Sequence, residues 1–274
     1  IRASYLALAA AAALYCANPV ARAGNVLDID MAGQNIGDNV PIDPATTPLP
    51  LNHFYSQGGY PDTPPYSGTA LVQNVTGISQ AAVMTTTQGG TGSNFLDTQF
   101  LVAAPIITFD FDINVLASPI TGIPQDTASA PNGQAFVIQA FAYDSNRVWR
   151  FATTPTSATT GAFGMRNDTD GDLLLFGTYN LNEAHHISIA ADYATDLVSV
   201  FLDNAPALTL PFVSPEPLNG GMEEFFIFQN GVEGVTNQVA IGNIESNAVP
   251  EPSSWILLSM GLCGLIGWRG ARKG

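Results

Sequence analysis

Three groupings of side chains in this 274-residue chain carry the atoms that ligand binding or catalysis would need. The densest acidic stretch is Asn167-Asp168-Thr169-Asp170-Gly171-Asp172, whose alternate carboxylates Asp168, Asp170 and Asp172 are hard oxygen donors suited to calcium. An EF-hand loop starting at Asp168 would need glycine and glutamate where Leu173 and Tyr179 stand, so the stretch reads first as a hairpin turning at Asp170-Gly171. Tyr143, Asp144, Asn146, Trp149 and Arg150 combine aromatic, carboxylate, amide and guanidinium groups, a mixture suited to holding a sugar. Trp149 is the only tryptophan between the two ends of the chain and equally suits a core. Glycoside hydrolysis needs two carboxyl groups facing one cleft. Asp110 and Asp112 share a strand face, with nothing beside them in the sequence to raise a pKa, whereas the adjacent Glu223 and Glu224 point to opposite faces. His185 and His186 diverge in the same way, one inward and one outward, which disfavours a shared zinc site. No Gly-x-Ser-x-Gly elbow is present, and the chain offers no local signature of a nucleophile triad.

Positioning these groups falls to strands. Ala70 to Val75, Ala81 to Thr85 and Ile106 to Val115 are short and rich in β-branched or aromatic residues. The last alternates strictly, with Ile107, Phe109, Phe111, Ile113 and Val115 on one face and Thr108, Asp110, Asp112 and Asn114 on the other, the pattern of a half-buried antiparallel strand. A second series follows: Ala135 to Tyr143, Val148 to Ala152, Ala162 to Arg166, Leu173 to Tyr179, His186 to Asp192, Val198 to Leu202, Phe225 to Gln229 and Val239 to Ile244. Turn signals such as Asp144-Ser145-Asn146 and Asp203-Asn204 separate them. No helical period of useful length and no internal repeat occurs in this body. The pattern predicts an all-β fold, an antiparallel β-sandwich of jelly-roll type, over residues 67–246. The segment 24–66 is rich in Pro, Asp, Asn and Gly and reads as irregular, with one strand near Val26 to Met31, packed on or leading into the sandwich.

His185-His186-Ile187-Ser188-Ile189-Ala190-Ala191-Asp192-Tyr193, followed by Val198-Ser199-Val200-Phe201-Leu202-Asp203-Asn204, resembles the strand–turn–strand of concanavalin-A-like and laminin-G-like domains. Asn204 stands where glycine is usual, and asparagine tolerates positive φ. The resemblance covers about twenty residues and implies a jelly roll; lectins, hydrolases, lyases and adhesion modules all use that fold, so it assigns no activity. The Glu-x-Asp-x-x-Glu strand of jelly-roll glucanases is absent.

Both ends of the chain read as targeting segments. Ala3 to Cys16 is a run of small and apolar residues, broken by Asn18-Pro19 and followed by Ala21-Arg22-Ala23, which reads as a signal peptide (1–23) cut after Ala23 at the small residues Ala21 and Ala23. At the other end, Pro250-Glu251-Pro252 precedes an uncharged run from Trp255 to Trp268 and the cations Arg269, Arg272 and Lys273. A helix of that length reaches about 20 Å, short of a ~30 Å hydrocarbon core, so it suits a transient stop better than a permanent span. The cations would hold the end cytoplasmic. This order of parts, over residues 247–274, resembles the tails of PEP-CTERM proteins. The resemblance implies sorting and processing by an exosortase at Pro250, Glu251 and Pro252, with membrane contact through a short hydrophobic helix. It leaves activity open.

Five of the eight basic residues lie in these two ends, leaving Arg147, Arg150 and Arg166 against 22 carboxylates in residues 24–249, a net charge of −19. Such a surface repels nucleic acid and anionic lipid and is compatible with neutral glycans, divalent cations or cationic surfaces. Both cysteines, Cys16 and Cys263, fall in the targeting segments, so the body has no disulfide or thiolate site. No cofactor is expected, calcium at Asp168, Asp170 and Asp172 aside. The expected protein is exported, passes the inner membrane, and acts at the cell surface, outer membrane or extracellular matrix as a non-enzymatic adhesive or carbohydrate-binding sandwich. The alternative is a glycoside hydrolase or polysaccharide lyase on the same fold.

Overall fold

The structure, a computed structural model, describes residues 23–42, 54, 56–58, 68–102, 104, 106–123, 133–142, 147–167, 172–193, 195–211 and 222–249. Among the described residues the regular structure is fifteen strands: β1 (Ala23–Ile29), β2 (Ser56–Gly58), β3 (Gly68–Val75), β4 (Ser79–Thr86), β5 (Gly90–Val102), β6 (Ile106–Ala117), β7 (Phe136–Ala142), β8 (Arg147–Pro155), β9 (Thr160–Asn167), β10 (Asp172–Asn180), β11 (Ala184–Asp192), β12 (Leu197–Leu202), β13 (Ala205–Pro211), β14 (Met222–Gly231) and β15 (Asn237–Val249). They form two antiparallel sheets. One runs β13-β12-β11-β6-β15-β4-β3, with β1 added on the second half of β15, and the other runs β10-β9-β8-β7-β14-β5-β2. The chain repeatedly crosses between sheets, as when β15 inserts between β6 and β4 and β14 between β7 and β5, which is jelly-roll connectivity.

The alternation in β6 explains its place at the centre of the eight-stranded sheet. Ile107, Phe109, Phe111, Ile113 and Val115 are buried between the sheets, and Thr108, Asp110 and Asp112 face out. Their partners from the other sheet are aromatic. Phe109 lies 4.0 Å from Phe225 and 5.5 Å from Trp149 by ring centroids, and Phe111 meets Phe151 edge-on at 5.4 Å. Each such pair contributes about 0.5–1.5 kcal/mol beyond the area it buries.

One end of the sandwich is closed by amides rather than by apolar side chains. Asn94 donates to the carbonyl of Thr69 at 2.9 Å and Gln229 to that of Met84 at 3.1 Å, tying β5 and β14 to the opposite sheet. Asn237 donates to Ala135 O and Asn230 O at 2.7 and 2.8 Å. Buried amides hold a unique arrangement when bonded in this way, since an unmet partner costs more than the bond contributes.

β1 stands where the sequence reads one strand near Val26 to Met31, and β2 is a further short strand in the segment 24–66. β1 pairs with β15 from Ala23↔Ala248 to Ile29↔Ile244, and β2 pairs with β5, so parts of segment 24–66 belong to the sheets. β15 also continues past residue 246, pairing Val249 with Ile106. The signal segment through residue 22 and the tail from Pro250 onward fall outside the described residues.

Candidate functional site

The seven-stranded sheet holds those sugar-contact candidates that are described. Trp149 points into the core, 1% exposed, between Phe109 and Phe225, so its ring presents no surface to a ligand. Arg150 follows it on β8 and points to the opposite face. It is paired across strands with Gln139, its guanidinium stands 5.4 Å from the centre of the Phe228 ring, and it is 2% exposed. Tyr143, Asp144 and Asn146 lie outside the described residues, as do Asp168 and Asp170. Asp172 opens β10, exposed and paired with Asn167, so β9 and β10 form an antiparallel hairpin joined by residues 168–171. Among the described residues no group of three His, Cys, Asp or Glu side chains is arranged to hold a metal ion. Of the processing residues, Ala23 is the first of β1, while Ala21, Pro250, Glu251 and Pro252 lie outside the described residues.

The outer face of the eight-stranded sheet has an open polar site. Strand pairing sets His186 opposite Asp112 and Ser188 opposite Asp110, joining β11 to β6. His186 Nδ1 lies 2.8 Å from Asp112 Oδ1, and Asn243 Nδ2 donates to the other oxygen of Asp112 at 2.5 Å. Asn243 reaches it from a bulge in β15 where its φ is +50°, a conformation asparagine tolerates. Ser188 Oγ donates to Asp110, and His186 Nε2 stands 4.0 Å from that carboxylate. Asp110 and Asp112 lie on the outer face, as the alternation predicts, and accept these hydrogen bonds there. Ser188 bonds to Asp110 while His186 bonds to Asp112, so Ser188 and His186 are not paired with each other. Burial inside the sandwich pushes the Tyr179 phenol up to about 12, so it stays neutral near neutrality.

His185 takes the inward side, edge-on to Phe163 at 5.3 Å, with Nδ1 3.0 Å from Asp203 Oδ2. Asp203 and Asn204 both adopt positive φ, +51° and +66°, so Leu202 to Ala205 is a type I′ hairpin turn. Asp203 locks that turn to β11, accepting from the His186 N–H at 2.9 Å and donating its own N–H to His186 O at 2.8 Å. Partial burial raises the Asp203 pKa, but the His185 ring, the His186 N–H and the two neighbouring imidazoles outweigh it and hold the carboxyl below its ordinary value. A depressed folded pKa gives stability that is complete above the unfolded value and lost as pH falls through the folded one. The melting temperature of wild type should therefore exceed that of Asp203→Ala near neutrality, and the gap should close below about pH 4. A gap that persists unchanged at pH 2 would contradict the lock.

Phe201 completes this face. Val198 and Val200 of β12 point into the core, so parity sends Phe201 outward, where it is half-buried. It stands between two shallow hollows. One, of about 210 Å³, is bounded by Thr108, Ser188, Ala190 and Asn204; the other, of about 290 Å³, by Ser199, Pro206 and Thr209. Ser199 and Thr209 hydroxyls are 3.1 Å apart, and Pro206 pairs directly with Phe201. An aromatic ridge flanked by hydroxyls and an amide offers an apolar surface and polar rims together.

Residues 248–273 match the PEP-CTERM protein-sorting motif. No curated protein matches the chain. Among solved structures it is similar to a carbohydrate esterase of the Shiga toxin-encoding bacteriophage phi24B, with a TM-score of 0.52 and 13% identity, over 82% of this chain and 98% of that one. It is also similar to alginate lyase Aly36B, with a TM-score of 0.50 and 12% identity, over 82% of this chain and 97% of that one. A sialidase matches with a TM-score of 0.49 and 11% identity over 67% of this chain, which spans 16% of the sialidase's length. The fold is the jelly roll that the sequence predicted, and the sorting motif marks the chain as an exported protein targeted to the cell envelope.

Proposed function

We propose that this exported protein is a carbohydrate-binding component of the cell surface or extracellular matrix, and that Phe201 with its two hollows is the surface that meets the sugar. The observation that carries the reading is the half-exposed Phe201 ridge rimmed by Thr108, Ser188, Ser199, Asn204 and Thr209. A pyranose has apolar C–H faces and an equatorial belt of hydroxyls, and this surface supplies a ring for the first and donors and acceptors for the second. In support, the jelly-roll neighbours are named as enzymes of carbohydrate chemistry. A hydrolase or lyase remains the rival on the same fold.

In this reading the signal segment is cut after Ala23, leaving β1 on the body, and an exosortase-type enzyme processes the tail at Pro250, Glu251 and Pro252 after a transient inner-membrane stage. Tyr143, Asp144 and Asn146 form a second proposed contact region at the β7–β8 connection, without Arg150, whose burial at 2% exposure keeps it from a ligand as it does Trp149. Calcium at Asp168, Asp170 and Asp172 is a separate proposal: ligation would raise the melting temperature when calcium is added after chelation, and an unchanged melt would remove it. The sugar reading is tested by equilibrium dialysis of the purified protein against polysaccharide extracted from its host's matrix. Wild type should bind, and Phe201→Ala should bind about tenfold more weakly with its fold intact, the effect of losing one aromatic contact. Equal binding by the two would place the contact elsewhere.

A further inference from the structure

We infer that the folded body sets the reach of its own sorting tail: the end of β15 is clamped on both edges, and the short spacer beyond it leaves a gap that admits the processing enzyme with little room to spare. The inference rests on the proposed processing at Pro250, Glu251 and Pro252 and adds what governs access to that site. The last residues of β15 pair with β6 at Asn247↔Thr108, Ala248↔Ile107 and Val249↔Ile106. On the other edge β1 pairs Asn25 with Asn247 and Leu27 with Ser246. Ile244, Ser246 and Asn247 are buried, as are Leu27 and Ile29 of β1, and Ser246 Oγ donates to Thr108 O at 3.1 Å. Peeling this end away to lengthen the tether would break two ladders at once and expose core side chains. β15 therefore holds its place up to the residue before Pro250.

Five residues, 250–254, separate Val249 from Trp255, the first residue of the apolar run. Fully extended they reach at most about 18 Å. With the tail in a membrane, a tryptophan at the end of an apolar run settles at headgroup level. The headgroup layer is about 5–7 Å deep, so roughly 11–13 Å is left between the lipid surface and the body. That is close to the diameter of a single helix with its side chains, about 10–12 Å. The end that stands over this gap is broad. Strand pairing sets Val249, Ile106, Asp192, Leu197 and Pro211 in one row across β15, β6, β11, β12 and β13. At ~4.8 Å between strands the row is about 19 Å wide. An enzyme that reaches the tripeptide must pass beneath this row with no more than one layer of structure.

Variants of the full-length protein expressed in its host test this, read by intact mass and membrane fractionation. Deleting Ser253 and Ser254 shortens the reach by about 7 Å, which leaves less than the thickness of one helix. That precursor should accumulate uncut in the membrane fraction. Adding Gly-Ser-Gly-Ser between Val249 and Pro250 of the same deletion variant moves the body outward while the tripeptide stays equally close to the apolar run, and the shortened product should return. Cleavage of the deletion variant at the wild-type level would overturn the inference, since the body would then impose no limit. Failure of the added residues to restore cleavage would also overturn it, because the distance from tripeptide to membrane would then decide alone. A wild-type tail that is never cut would instead remove the processing reading itself, and this inference with it.

Discussion

Replacing Trp149 with alanine is expected to destabilise the folded body by about 3–5 kcal/mol, the range for deleting a large aromatic from a packed core. The indole is 1% exposed, with Phe109 and Phe225 at 5.5 and 6.1 Å, and those rings come from both sheets. Removing it would open a void at the point where β6 and β14 face each other, and the rigid strands around it could collapse only partly. Against a typical total stability of about 5–15 kcal/mol, such a loss would be plain in a urea titration. Trp149→Phe should cost much less, because it keeps an aromatic ring in the gap. A loss under about 1 kcal/mol for Trp149→Ala would mean that the side chain sits at the surface, and would restore it as a sugar contact.

The second large effect concerns processing. β15 ends at Val249, paired with Ile106, and the next residue is Pro250, which has no N–H to continue a ladder. The Pro-Glu-Pro tripeptide thus follows directly on the last paired residue, and its prolines bias the chain toward an extended form. With Pro250→Ala and Pro252→Ala together, intact mass of the protein from its host should show the full tail retained in the membrane fraction. The wild-type protein should be shortened near Pro250. An unprocessed tail in both would make the segment a plain anchor and remove the main support for placement in the matrix.

Strands whose alternation is strong were legible from sequence, β6 most of all, because one buried face imposes a period of two that nothing else mimics. β5 was not. Its Gly90, Gly92, Ser93, Asn94 and Asp97 look like loop residues, and Ser93 and Asn94 are buried only because their side chains bond across to backbone carbonyls that no local pattern reveals. β13 was hidden by Pro206 and Pro211, which an edge strand tolerates. The polar site was partly legible. The divergence of His185 and His186 follows from strand geometry, and the structure shows it, but the partner of His186 is 74 residues away, a distance only the sheet order bridges. Phe201 was within reach: Val198 and Val200 fix the parity of β12, which sends Phe201 to the outer face. Trp149 illustrates the opposite case, since a lone tryptophan beside polar residues fits a core and a platform equally until its face is known.

The most direct test of the binding account is a map of backbone amide shifts in the ¹⁵N-labelled protein as an oligosaccharide from the host matrix is added. Perturbations concentrated at Thr108, Ser188, Ser199, Phe201, Asn204 and Thr209 are predicted. Perturbations confined to β7, β8 and β14 on the seven-stranded sheet, or none at saturating sugar, would contradict it.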